Sequence, residues 1–260
     1  MSTSAECNAV LKDTISPSLL GQVRKVWFEH IKTEDGLIFP SQDDFKRWFV
    51  RDESFDQICA EQFKTALDQI LESKASAQDM LEVIDTSSPL DWLSVILLLD
   101  QVPRNCYRGD ASKMVFERFD PLAEAVALRD IDAGIPAMSS VVRYRLAYRM
   151  WFQLPLMHSE KLSVHEKAVA QYENIAKDVD DLLTQNPSTL GDDEKECHKV
   201  LSKNTEAVHG SLSHQLEFEK RHKVIIQRFG RYPHRNQALG RSSTAEEVEY
   251  LENGGETFAQ

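Results

Sequence analysis

The chain has 260 residues, 42% apolar and 28% charged, the balance of a folded globular protein and not of a disordered or low-complexity one. With 42 acidic residues against 30 basic ones the formal charge is -12, which argues against a generic nucleic-acid or anionic-membrane binder and leaves room only for a local basic patch. Cys7, Cys59, Cys106 and Cys197 stand far apart without metal-ligand spacing, so free thiols in a reducing compartment, and no metal, are expected.

The start MSTSAECNAVLKD has neither an apolar signal core nor Arg-rich transit character. Ser16-Pro17 then supplies an N-cap and a first-turn proline, and Leu20, Val23, Trp27 and Ile31 follow at helical spacing. Phe55, Cys59, Phe63, Leu67 and Ile70 make a second stripe. From Trp92 to Leu99 the sequence leaves no polar face, which predicts a buried central helix; interrupted by Ser94, it is too short to cross a bilayer. Asp120-Pro121 starts another helix and Gly134 ends it. Ser163-Val164-His165-Glu166 reads as a capping box before the stripe Val169, Tyr172, Ala176, Val179 and Leu183. One long helix is expected over about 192–228, with Leu212, Leu216, Val224 and Ile225 inward. Ser243 and Thr244 open a short last helix that Gly254-Gly255 closes.

No alternating segment or hairpin turn signals a strand. The pattern predicts an all-α single domain over 1–260, with its core over about 16–254, built from on the order of ten helices packed as antiparallel pairs. The first dozen residues, the tail after Gly254 and the stretch 186–191 are the expected loose ends. The conspicuous polar residues sit at helix ends, outside the apolar stripes. A cytoplasmic protein with no membrane and no DNA partner is expected.

Three segments are rich in groups that could bind a ligand. The first follows the apolar helix and carries Asp100, Gln101, Arg104, Asn105 and Arg108 around Pro103. The second holds Arg143, Arg145 and Arg149 and leads to His158 and Glu160. The third, residues 222–244, contains His222, Lys223, Arg228, Arg231, His234, Arg235, Asn236 and Arg241 and no acid at all. Pro103-Arg104-Asn105 is echoed by Pro233-His234-Arg235-Asn236. Guanidinium groups match carboxylates or phosphates, and histidine exchanges a proton near neutral pH, so a shared anion pocket is one reading. Capping of helix ends and pairing with interior acids such as Asp100 and Glu160 is the other.

An acidic turn stands apart. Asp192, Asp193 and Glu196 have the form D-D-x-x-E, and on a helix the three carboxylates share a side. They could hold a cation, grip a guanidinium or act as a base; equally, acids in a first turn stabilise the positive end of a helix. No phosphate-binding loop, dinucleotide fingerprint, H-E-x-x-H or nucleophile elbow is present, and no cofactor is implied.

The segments LLLDQVPRNCYRGD, LPLMHSE and IQRFGRYPHRNQALGRSSTAEEVEYL, in this order, resemble domain-of-unknown-function family 924, with Trp27-Phe28 and Phe55-Asp56 joining the match over about residues 20–254. The resemblance implies an all-α, tetratricopeptide-like helical fold. The D-D-x-x-E turn is in addition similar to that of fungal arginine-containing cyclodipeptide synthases. That second likeness implies a transferase of secondary metabolism that condenses arginine with a second amino acid, using arginyl-tRNA and another aminoacyl-tRNA as substrates. Asp192, Asp193 and Glu196 would then be catalytic, and the basic segments would contact the acceptor end. A non-catalytic helical scaffold binding a peptide or partner protein, and a small-molecule hydrolase with an anionic substrate, are the alternatives.

Overall fold

The computed structural model describes residues 4–84 and 88–258, and among them every regular element is helical. In chain order these are α1 (Ser4–Thr14), α2 (Pro17–Phe28), α3 (Glu34–Ile38), α4 (Gln42–Phe49), α5 (Glu53–Ser73), α6 (Ala77–Val83) and α7 (Pro89–Asp100). A run of short helices follows: α8 (Val102–Cys106), α9 (Ser112–Met114), α10 (Asp120–Asp132), α11 (Ile135–Met138), α12 (Ser140–Arg143), α13 (Leu146–Arg149) and α14 (Leu154–Met157). The last four are α15 (Leu162–Thr184), α16 (Asp192–Lys203), α17 (Thr205–Phe229) and α18 (Ala245–Glu252). The all-α expectation holds. The elements are more and shorter than about ten because Pro103, Gly134, Pro136 and Pro155 cut the middle of the chain into single turns.

Helix α7 is the hub. Each side chain from Trp92 to Asp100 is fully buried, as a helix without a polar face requires. Around it a first apolar cluster gathers α1, α2, α5 and α10, including Leu11, Trp27, Phe63 and Val126. A second cluster joins α15, α16 and α17 through Tyr172, Val179, Cys197 and Leu212. There α15 and α17 lie antiparallel: His165 meets Glu219 at one end and Asp180 meets His209 at the other. A third, small cluster of Ile225, Ile226 and Tyr232 forms where α17 ends, with Phe229, Tyr250 and Phe258 against it.

Local chemistry explains the boundaries. Ser16 Oγ accepts the Leu19 amide, and Thr244 with Glu247 forms a reciprocal capping box. Three expectations change and a fourth is refined. Residues 4–14 are not a loose end but a helix, anchored by Cys7 and Leu11 in the first cluster; residues 1–3 lie outside the described residues. The capping box at Ser163 does not form, because α15 begins at Leu162, after Lys161. The helix expected over 192–228 is two, separated at Asn204, whose side chain turns back to the Val200 carbonyl. Asp120-Pro121 opens α10 as expected, but not from a free end: α9, a π turn over Val115–Phe119 and α10 run on without a break. The wider turn accommodates a proline that cannot donate to the preceding turn.

Candidate functional site

The π turn delivers Asp120 to the end of α7, where the first and third polar segments meet on it, joined by the end of the second, His158 and Glu160. Arg104 Nη1 lies 2.7 Å from Asp120 Oδ1, and Arg235 Nη1 lies 3.3 Å from Asp120 Oδ2. The echoed Pro-Arg-Asn and Pro-His-Arg-Asn motifs thus place their arginines on one carboxylate. Arg235 is also sandwiched, its guanidinium 4.6 Å from the Phe116 ring and 4.5 Å from the Tyr232 ring. Asp100, fully buried, takes a 2.5 Å hydrogen bond from Gln101 Nε2 and lies 2.7 Å from His158 Nδ1. Among the described residues no group hydrogen-bonds the other ring nitrogen of His158, Nε2, and that atom is not sealed from solvent.

The loop that carries His158 is held at each residue. Tyr232 Oη donates to the Met157 carbonyl at 2.6 Å, Arg235 Nη1 to the His158 carbonyl at 3.0 Å, and a ring nitrogen of His165 to the Ser159 carbonyl at 2.8 Å. Glu160 accepts from the Tyr232 amide and, in fork geometry, from Arg241 at 2.6 and 3.0 Å. All three apolar clusters touch this loop: Leu156 belongs to the first, Met157 to the second and Tyr232 to the third. Such support locks a side chain at the geometry that proton chemistry needs.

The electrostatics follow from burial. Burial, and then the positive charge of Arg104, lower the His158 pKa below its ordinary range, so the imidazole is neutral at physiological pH. Burial alone would raise the Asp100 carboxyl, but His158, Arg104 and the Gln101 amide reverse this and keep it ionised. A carboxylate can only accept, so Nδ1 carries the proton and Nε2 offers its lone pair outward. Asp100, Asp120 and His158 could offer three ligand atoms within 4.8 Å of one another. A cation there would face the two guanidinium groups already seated on Asp120, which makes the cluster a poor metal site.

The remaining candidates are placed elsewhere. Arg108 grips Asp56 through two nitrogens and also touches Asn105. Arg145 bridges Glu34 and Asp193, while Arg149 and Arg143 share Asp178; the arginines of the second polar segment therefore build their own network with α3, α15 and α16. Arg228 pairs with Glu246, and Arg231 and Asn236 hold Glu247, tying α18 to the end of α17. His222 sits on the inner face of α17 with its ring on the Phe218 carbonyl, and burial lowers its pKa to about 3. Burial lowers His234 to about 4. Of the D-D-x-x-E turn, Asp192 and Glu196 face solvent beside Lys195 and Lys199, and Asp193 takes Arg145. Among the described residues no hydrogen bond or ion pair joins that turn to the Asp100–His158 cluster.

Several buried polar groups contradict the expectation that they cluster only at helix ends. His165 and Glu219 are both fully buried, 2.7 Å apart, on facing stripes of α15 and α17. Asp130 is fully buried on α10, neither carboxylate oxygen has a partner, and burial raises its pKa to about 8. A signal for Glu219 and His222 existed: they continue the Leu212, Leu216 spacing, where apolar residues are due.

The site therefore defines an all-α protein with an acid–histidine pair, flanked by arginines, at the junction of three apolar clusters. The chain belongs to the family described as "Bacterial protein of unknown function (DUF924)", whose pattern it matches over residues 23–255. It is also similar to a solved structure, "Structure of Protein of Unknown Function ATU0120 from Agrobacterium tumefaciens", with a TM-score of 0.57 at 26% identity, covering 91% of this chain and 98% of that one. No curated protein matches the sequence. Among the described residues no helix is long and apolar enough to cross a membrane.

Proposed function

We propose that this protein is an enzyme in which His158, oriented by Asp100, acts as general base on an activated acyl substrate. In its finer form the reaction is the condensation of arginine with a second amino acid, each delivered as aminoacyl-tRNA, to a cyclic dipeptide. The observation that carries this reading is the 2.7 Å Asp100–His158 contact with Nε2 left open. An aminoacyl ester is already activated, so the chemistry needs no nucleotide loop. Nε2 would take the proton of the attacking α-amino group as the C–N bond forms. The ester C–O bond then breaks, and the ribose hydroxyl leaves with that proton; the free amino group of the resulting dipeptidyl ester repeats the attack on the remaining ester, closing the ring and releasing the second ribose hydroxyl.

Asp192, Asp193 and Glu196 enter this reading as the grip for the arginine side chain. Support comes from Asp193, which already accepts a guanidinium at 2.6 Å, that of Arg145. A hydrolase acting on an anionic ester is the second reading. It is favoured by the absence, among the described residues, of a hydrogen bond or ion pair between the acidic turn and the His158 cluster, since the pair then activates water without help from that turn.

Expression in a bacterial host followed by mass spectrometry of the medium separates them. A cyclic arginine dipeptide is expected from the parent chain and not from His158→Ala, Asp192→Asn or Glu196→Gln. Soluble parent protein without product rejects the condensation, and undiminished product from His158→Ala rejects the base.

A further inference from the structure

The couple His165–Glu219 has no part in the chemistry above, yet it lies directly beneath it. His165 Nδ1 is 2.7 Å from Glu219 Oε1 and Nε2 is 2.8 Å from the Ser159 carbonyl oxygen, with the Tyr232 hydroxyl 3.4 Å from Nε2. Both principal partners are acceptors. The ring therefore carries a proton on each nitrogen, or the carboxyl carries the one that Nδ1 lacks. In either form the couple keeps one proton beyond a neutral imidazole facing an ionised carboxylate. Its release would strand a negative charge among apolar side chains, where Glu219 Oε2 already has no partner.

A buried couple of this kind is costlier than an apolar pair of equal volume, so its packing alone does not account for it. What it holds is the carbonyl next to His158. Tyr232 and Arg235 fix the carbonyls of Met157 and His158, and His165 fixes that of Ser159. We infer that His165 and Glu219 are positioning residues for His158: sharing one proton, they lock the Ser159 carbonyl and so the orientation in which His158 meets Asp100. This rests on the reading of His158 as the base, but the test below reads His158 itself and needs no substrate.

The groups that act on these rings are known. His158 faces Asp100 from α7, Arg104 from α8 and Asp120 from α10, and His222 of α17 feels both His158 and Arg235. Glu219 faces His165 and, more remotely, Lys223. Nuclear magnetic resonance of the full chain with 15N-labelled histidine follows each ring. In Glu219→Leu the His158 midpoint should rise by about one pH unit as its loop loosens and the ring gains water. Glu219→Gln, which keeps the shape and a hydrogen bond to His165, should restore the parent midpoint.

A His158 midpoint unmoved in a folded Glu219→Leu protein that has merely lost thermal stability overturns the inference. Should the leucine variant not fold, His165→Gln provides the same comparison. A soluble parent that makes no dipeptide, with His158 responding as stated, rejects the enzyme reading alone; a parent that makes it, with His158 unmoved in the variant, rejects the positioning alone.

Discussion

Replacing Asp130 with asparagine should stabilise the protein, and by an amount that depends on pH. The carboxyl is fully buried without a hydrogen-bond partner, and burial raises its pKa from 3.8 to about 8. Between those values the folded chain holds a proton that the unfolded chain has released. Stability is therefore greatest below the unfolded value and falls by about 1.4 kcal/mol per pH unit as pH rises toward the folded one. By neutral pH the loss reaches at most roughly 4 kcal/mol, a large share of a typical domain's stability. Asparagine has nearly the same shape and no charge to lose. Urea unfolding followed by circular dichroism, for parent and Asp130→Asn across about pH 4 to 9, should give curves that coincide within about 1 kcal/mol at the acid end and diverge until the folded carboxyl ionises. Parallel curves over that span, or a variant less stable than the parent at neutral pH, would refute the reasoning.

Four further outcomes are expected. Asp120→Ala leaves Arg104 and Arg235 buried without their shared carboxylate and should cost about 3–5 kcal/mol in urea unfolding, whereas a surface ion pair would cost under about 1. Asp100→Asn should reverse the His158 tautomer, visible in the 15N spectrum, and lower any product yield by roughly 10³–10⁴-fold. The acid limb of activity should lie below 6.5, the ordinary histidine value, because burial and Arg104 keep His158 neutral to lower pH. Thr244→Ala removes the cap of α18 and should lower stability by about 1 kcal/mol, read as a drop in the unfolding midpoint.

How far the sequence could be read depends on the range of the interaction. The buried hub was legible because a run with no polar face has one solution, and helix starts at Ser16 and Thr244 were legible because capping is settled within four residues. The arginine clusters were legible as composition but not as chemistry. Their acid partners lie far along the chain: Asp56 for Arg108, Glu160 for Arg241, Glu34 for Arg145. The acid-free segment left an anion pocket and pairing with interior acids both open; each singled-out arginine has a carboxylate, Glu160 among the acids named in advance. Asp120 was noticed only as the residue before a proline, since nothing local announces the π turn that aims it at Arg104 and Arg235. His165 passed as part of a capping box, because a histidine in a first helical turn has an ordinary local explanation; its partner Glu219 stands on another helix.

The hold that residues 231–241 exert on the loop at 157–160 also has a temporal side. A chain still emerging from the ribosome already contains His158 and Asp100 before the groups that hold the loop around the imidazole, Tyr232, Arg235 and Arg241, have been added. A message truncated after α17 would thus yield helices whose loop at 157–160 lacks these three donors.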